Sequence, residues 1–299
     1  MSASPASQAA AKPGLATLQV PGRGGNAWHR AETRRLALLA APVAAIFFAF
    51  WLLPVGRLIL LSGAGSHGFD NYWQVLTTPR YLTGFAVTIG LSAGVTLVTL
   101  VISVISGLFL VRNVFPGRSL LLSVLTLPLA FSGVVVGFMV IMLAGRQGLV
   151  GSITHWLTGD RLIFAYSFAG LFLGYVYFSI PRVILIVMAA TEKLDRMNEE
   201  AARSLGANGW QVMRDVILPG LAPALISAGA VCFATSMGAF GTAFTLNAGI
   251  DVLPMVIYNE FTLNANIGAA AALSVILGAA TWAVLAIART LAGSGASGG

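Results

Sequence analysis

Charged residues are scarce in this sequence. Of its 299 residues, 17 are Lys or Arg and 10 are Asp or Glu, so that 9% carry a charge, whereas about a quarter do in a soluble domain. Hydrophobic residues make up 57%, which is more apolar surface than a soluble protein of this length can bury. The composition excludes a disordered chain, a cytosolic enzyme and a secreted disulfide scaffold, and it predicts an integral membrane protein.

Cysteine and lysine are also rare, and each shortage removes a class of site. The one cysteine, Cys232, cannot form an intrachain disulfide, and its apolar surroundings indicate a buried hydrophobic residue. A phosphate-binding loop needs a lysine, and neither Lys12 nor Lys193 stands in that context. The three histidines lie in different segments without metal-ligand spacing. We therefore expect a chain that is not an enzyme and that binds no metal or cofactor itself.

What the sequence does contain is six long apolar runs. Each is long enough for a helix of about 20 residues across the hydrocarbon layer, and each is continuous rather than alternating, which excludes barrel strands. The runs are 36–61, 81–111, 119–143, 162–190, 218–246 and 267–288. They predict an all-α integral membrane protein with one domain of six transmembrane helices over residues 36–290. Residues 1–35 are predicted to be a disordered cytoplasmic tail, and residues 291–299 a short flexible one.

Basic residues are distributed unevenly between the two sides of these runs. If the N-terminal tail is cytoplasmic, twelve Lys and Arg residues fall on its side, and only Arg80, Arg146 and Arg161 fall on the other. This asymmetry predicts that both termini are cytoplasmic. Arg57 and Arg182 lie within apolar runs near a predicted membrane boundary. Anchoring at that boundary is one interpretation of them, and a role in a substrate pathway is the other.

Acidic residues are absent from all six predicted spans. Ion-coupled transporters commonly hold Asp, Glu or His within the membrane to bind a proton or a cation. The absence disfavours an ion-coupled secondary transporter, but backbone carbonyls can also bind sodium, so this alternative stays open. A membrane scaffold without transport activity is a further alternative.

One strongly polar segment, residues 191–217, separates the fourth and fifth runs. Apolar residues at helical spacing predict a short amphipathic helix there. Gly206 is suited to end that helix, Asn208 to cap a second one, and Pro219 to open the next span. A solvated connector is the simpler interpretation. The small residues Ala201 and Ala202 instead favour a helix that docks in the groove of a partner.

The same segment closely resembles the EAA motif of permease subunits in binding-protein-dependent ABC importers. Glu200-Ala201-Ala202 is followed after three residues by Gly206, and after nine more by Val216-Ile217-Leu218-Pro219. The family pattern is E-A-A-x₃-G-x₉-I-x-L-P, so that Val216 stands where Ile is usual. The position of the motif, two spans before the C-terminus, also matches, and the resemblance covers residues 36–288.

This resemblance implies a permease of the type I ABC importer fold in a bacterial inner membrane, similar to permeases for polyamines, phosphonates, sulfate and ferric iron. It implies a second permease subunit, identical or homologous, and an extracytoplasmic solute-binding protein. It also implies two ATPase subunits that bind ATP and Mg²⁺. No nucleic-acid partner is expected. The residues implied to couple to the ATPase are Glu200, Ala201, Ala202, Gly206, Leu218 and Pro219.

The substrate is less well determined by the sequence. Candidates for the pathway lining on the fifth run are Thr235, Ser236, Phe240 and Thr242. The alternative for these residues is helix packing with the hydroxyls bonded to their own backbone. Asp251 and Glu260, in the outer loop that follows, favour a cationic solute such as a polyamine, unless they are simply exposed acids.

Overall fold

The protein is helical throughout the part that the structure describes. The computed structural model describes residues 39–63, 68, 70–246 and 249–296, with side chains as far as residue 292, and no strand occurs in these ranges. The helices are α1 (Leu39–Ser62), α2 (Asp70–Thr77), α3 (Pro79–Arg112), α4 (Arg118–Thr126), α5 (Gly133–Ala144), α6 (Leu149–Thr158), α7 (Phe168–Thr191), α8 (Arg196–Ser204), α9 (Gly209–Met237), α10 (Phe240–Leu246), α11 (Leu253–Thr262) and α12 (Ile267–Ala296). The tail predicted at 1–35 lies outside the described residues. Helix α12 continues past residue 290, where the C-terminal tail was predicted to begin.

Six segments of the described chain are long and apolar enough to cross a membrane, as predicted. They are Leu39–Ser62, Pro79–Arg112, Gly133–Thr158, Phe168–Thr191, Gly209–Met237 and Ile267–Ala292. The third and the fifth differ in detail from the predicted runs, because the helices there are interrupted.

The third predicted run, 119–143, is two helices rather than one. Helix α4 tightens into a 3₁₀ turn at Leu127–Ala130 and stops at Phe131, and α5 begins two residues later. Pro128 contributes to the break because it has no N–H to donate to the helix. Helix α5 alone, with 12 residues, spans only about 18 Å. Helices α5 and α6 together are long and apolar enough to cross, but the exposed Arg146 in the turn between them would then lie at the middle of the membrane. We therefore assign the crossing to α4 and α5 together.

The fifth predicted run, 218–246, is also broken. Helix α9 starts earlier, at Gly209, passes through a π-turn at Met213–Ile217 and ends at Met237. The π-turn directly precedes Pro219, whose missing N–H such a turn accommodates. The short helix α10 follows after Gly238 and Ala239. The Tyr175 hydroxyl donates to the Ala239 carbonyl at 2.6 Å, so this interruption has a hydrogen bond within the protein.

The chain divides into two compact units, Met1–Gly56 and Arg57–Gly299. In the described part of the first unit, no residue of α1 is buried. The core of the second unit is formed where α3, α7 and α9 pack together, and Cys232 lies in it with 1% of its surface exposed. The interpretation of this cysteine as a buried hydrophobic residue is confirmed.

Close approach of the helices depends on glycine at two positions near the broken spans. A side chain at Gly137 of α5 would place its Cβ 2.7 Å from the Cβ of Thr245. One at Gly174 of α7 would lie 3.0 Å from the Cγ2 of Thr242. Helices α5, α7 and α10 can therefore meet closely only because these residues lack a side chain.

Candidate functional site

The polar segment between the fourth and fifth spans folds into a short helix, as predicted. Helix α8 begins at a cap in which the Asp195 carboxylate accepts from the Met197 N–H at 2.9 Å. It ends before Gly206, whose φ of +91° is the left-handed conformation that favours glycine. Asn208 and Gln211 then form a reciprocal capping box at the start of α9. The predictions that Gly206 ends this helix and that Asn208 caps the next one are confirmed.

The segment after this cap is continuous with the membrane span. Helix α9 runs from Gly209 to Met237, with the π-turn between its two parts. Leu218 and Pro219 of the motif lie where the turn ends, with Leu218 partly buried and Pro219 exposed. The turn at Gly206 and the cap at Asn208 therefore connect α8 directly to the helix of the fifth span.

One side of the polar segment packs on the protein. Val212, Ile217 and Leu221 are buried against Leu108 near the end of α3, and Ala202 contacts this cluster from α8. The cluster links α8 to α3 and to α9 by apolar contact. Of the two small residues Ala201 and Ala202, therefore, Ala202 packs within the chain.

The other side of the polar segment is exposed. Glu200, Ala201 and Gly206 all lie on it. Three large apolar side chains are exposed on the same segment: Met197 by 72%, Leu205 by 90% and Trp210 by 71%. Large exposed apolar residues close together are typical of a surface that contacts another protein.

An ion pair that sequence reasoning missed joins this segment to α3. The Arg112 guanidinium, at the end of α3, donates to the Glu199 carboxylate through Nη2, and both side chains are partly buried. Glu200, the acid of the motif, forms no salt bridge in the described part of the chain. The pair had no local signal in the sequence, since its members are 87 positions apart. Glu199 therefore anchors α8 to the end of α3.

The four residues predicted to line a pathway have different surroundings in this chain. Thr235 donates to the Val231 carbonyl of its own helix at 2.9 Å, and Thr242 donates to the Gly133 carbonyl of α5, also at 2.9 Å. Ser236 is buried, and its hydroxyl has no partner in the described part of the chain. Phe240 stacks in an aromatic cluster with Phe244 and Tyr258. The residues surround the break after α9 but do not form one common surface.

The two acids that were predicted to lie in an outer loop, Asp251 and Glu260, are close to one cation. Arg80 Nε lies 3.2 Å from Asp251 Oδ2, and Arg80 Nη1 lies 3.9 Å from Glu260 Oε1. Glu260 is almost fully buried, with 4% of its surface exposed. Arg80 offsets one of the two negative charges and only Asp251 is exposed, so the two acids do not form the exposed pair that was expected to attract a cationic solute.

The sequence relatives of the chain are transport permeases. Residues 99–293 match the family described as binding-protein-dependent transport system inner membrane component. The chain is 34% identical over 242 residues to the sulfate transport system permease protein CysT of Escherichia coli K12, covering 76% of this chain and 82% of that protein. It is 34% identical over 181 residues to the molybdenum transport system permease protein ModB of the same strain, covering 60% and 74%. Its match to the chloroplastic sulfate permease 2 of Chlamydomonas reinhardtii is 31% identical over 226 residues and covers 73% of this chain but 60% of that protein.

The fold is similar to that of a chain in the crystal structure of a bacterial alginate ABC transporter in complex with an alginate pentasaccharide-bound periplasmic protein. The TM-score is 0.73 at 18% sequence identity, over 87% of this chain and 94% of that one. The chain therefore belongs to the family of inner membrane components of binding-protein-dependent transport systems, and it is a multi-pass permease subunit of an ABC importer with the type I fold.

Proposed function

We propose that this permease forms part of the import pathway for a small tetrahedral oxyanion of the sulfate and molybdate kind. The observation that carries the proposal is the similarity over most of the chain to permeases named for sulfate and for molybdenum. The arrangement of Asp251 and Glu260 around Arg80 is compatible with it, because Glu260 is buried and Arg80 offsets one of the two charges, so that no exposed acid pair favours a polyamine.

The proposed assembly contains a second permease subunit, a solute-binding protein on the outer side and two ATPase subunits on the cytoplasmic side. ATP and Mg²⁺ bind to the ATPase subunits, and this chain carries no catalytic residue. The exposed face of the polar segment, with Glu200, Ala201 and Trp210, docks in a groove of the ATPase.

Two connections transmit movement from that docked face to the membrane. One is the continuous helix α9, which begins at the cap formed by Asn208 and ends at the break beside Tyr175. The other is the ion pair of Arg112 with Glu199, which joins α8 to the end of α3. When the ATPase subunits close, α8 is displaced as a rigid unit, and α3 and α9 move with it.

The test is uptake into proteoliposomes that contain the complete complex and its binding protein. We expect uptake of sulfate or molybdate that needs ATP hydrolysis and continues when ionophores remove the proton and sodium gradients. Putrescine serves as the cationic control and should not accumulate. Uptake that follows an ion gradient without ATP would instead identify a secondary transporter, and import of putrescine without either anion would refute the proposed substrate.

A further inference from the structure

Arg182 lies in the interior of α7, away from both of its ends. It follows Phe168 by 14 residues and precedes Thr191 by nine, about 21 Å and 14 Å along the axis. If α7 is centred on a 30 Å hydrocarbon layer, Arg182 is about 10 Å inside the nearer boundary. The sequence analysis placed Arg182 at that boundary because the fourth apolar run was predicted to begin at residue 162. The observed start at Phe168 moves it inward, where snorkelling to water is a poor explanation.

The guanidinium of Arg182 is only partly satisfied within the chain. Its Nη1 atom is buried and has no hydrogen-bond partner among the described residues. None of the salt bridges in the described part of the chain includes it. The carbon at its centre lies 5.6 Å from the ring centroid of Phe178, a favourable but weak contact. Arg182 is thus a partly buried cation without an acidic partner among the described residues, and such a charge within a membrane span is costly and indicates a functional partner.

Arg182 is on the face of α7 that is directed toward the broken span. It follows Tyr175 by seven residues, which is two helical turns, so that the two side chains project in nearly the same direction about 10 Å apart. Tyr175 reaches the Ala239 carbonyl at the break between α9 and α10. Arg182 therefore lies two turns along α7 from the residue that contacts this break, on the same face of the helix.

The break between α4 and α5 is at a similar depth. On one side of it, Leu125 of α4 packs in the cluster that contains Ile184. On the other side, Val140 of α5 lies against the backbone of Gly174. The interruption at Phe131 falls between these two contacts along the chain, so it lies between the levels of Gly174 and Ile184, the part of α7 that contains Arg182. Interrupted helices at membrane depth are tolerated where they are buried in protein or line a water-filled cavity.

We propose that Arg182 binds the translocated oxyanion as it passes the two interrupted spans. The inference rests on the proposed function and names the residue that recognises the substrate. A guanidinium offers paired N–H donors that match two oxygens of a tetrahedral dianion, and the attraction is strong where water is partly excluded. A single such contact holds the anion without trapping it, which a pathway requires.

The test compares variants at Arg182 in the complete complex, reconstituted with its binding protein and supplied with labelled sulfate or molybdate. Arg182→Gln should lower the rate of ATP-driven uptake by at least about tenfold, since the charge-assisted hydrogen bonds of the guanidinium are lost. Arg182→Lys should retain an intermediate rate. Arg289→Gln, which removes a charge from an exposed position of α12, is the matched control and should transport normally.

Chemical rescue separates a role of the charge from a role in folding. In a Cys232→Ala background, Arg182→Cys should be inactive until aminoethyl methanethiosulfonate attaches a positive group to the new thiol. Modification with neutral methyl methanethiosulfonate should not restore uptake. The substituted complex should keep its second permease subunit and its ATPase activity in the presence of loaded binding protein.

The outcomes distinguish this inference from the proposed function. If the wild-type complex imports neither anion, both the proposed substrate and the proposed role of Arg182 are refuted. If the wild type imports the anion and Arg182→Gln does so at the same rate, only the role of Arg182 is refuted. Loss of the second permease subunit from the Arg182→Gln complex, or equal rescue by the neutral reagent, would also refute it and identify a structural residue.

Discussion

Gly206 controls the geometry of the exposed face at the level of a single residue. Its φ of +91° turns the chain between α8 and α9, and no atom lies within 4 Å of the position that a Cβ would occupy. Glycine is therefore favoured at this position by the backbone conformation and not by a lack of space for a side chain. Gly209, three residues later, is equally open but has no positive φ, and it starts α9.

Gly206→Ala should weaken the coupling of ATP hydrolysis to transport. A left-handed conformation costs an alanine about 1–2 kcal/mol, so the turn would relax and displace the exposed side chains of α8. Gly209→Ala is the matched control, and it should be neutral or slightly stabilising because a helical position favours alanine. The measurement is uptake per ATP hydrolysed in the reconstituted complex. Equal ratios for the two variants would show that the turn at Gly206 has no role in coupling.

Two contacts of different kinds join the polar segment to the membrane helices. The apolar cluster around Leu108, Val212 and Ile217 is non-directional and tolerates small displacements. The ion pair of Arg112 with Glu199 is directional, and it fixes α8 against the end of α3. Of the two contacts, only the ion pair can be broken by reversing one charge and restored by reversing both.

Reversal of one charge in this pair should uncouple transport, and reversal of both should restore it. Glu199→Arg alone places two cations together, which we expect to detach α8 from α3 and to lower uptake several-fold while ATP hydrolysis continues. The double variant with Arg112→Glu should recover a large part of the lost uptake. Glu192→Gln, at an exposed acid without a salt bridge among the described residues, is the control. Additive losses in the double variant would exclude a direct functional link.

The sequence predicted the spans of the molecule better than their interruptions. Six long apolar runs were sufficient to predict six membrane segments, because hydropathy depends only on composition. The breaks after Ala130 and Met237 do not change the hydropathy, and they depend on Pro128, Gly238 and the hydrogen bond from Tyr175. The helical spacing of apolar residues and the position of Gly206 predicted α8 and its end, but they contained no information on the partner of Glu199.

The orientation of the whole molecule in the membrane is the remaining prediction. Twelve Lys and Arg residues on the side of the N-terminal tail against three on the other predict that both termini are cytoplasmic. The proposed coupling requires this orientation, because ATPase subunits in the cytoplasm can reach α8 only if the polar segment faces them. The turn between α5 and α6, which contains Arg146, must then face the opposite side.

Cysteine labelling in a Cys232→Ala background tests this orientation. Arg146→Cys and Lys193→Cys introduce thiols at exposed positions on opposite sides of the predicted membrane. A membrane-impermeant maleimide applied to intact spheroplasts should label Arg146→Cys and should reach Lys193→Cys only after permeabilisation. The reverse pattern would place α8 away from the cytoplasm. Its exposed face, with Met197, Leu205 and Trp210, would then need a partner on the outer side instead of an ATPase.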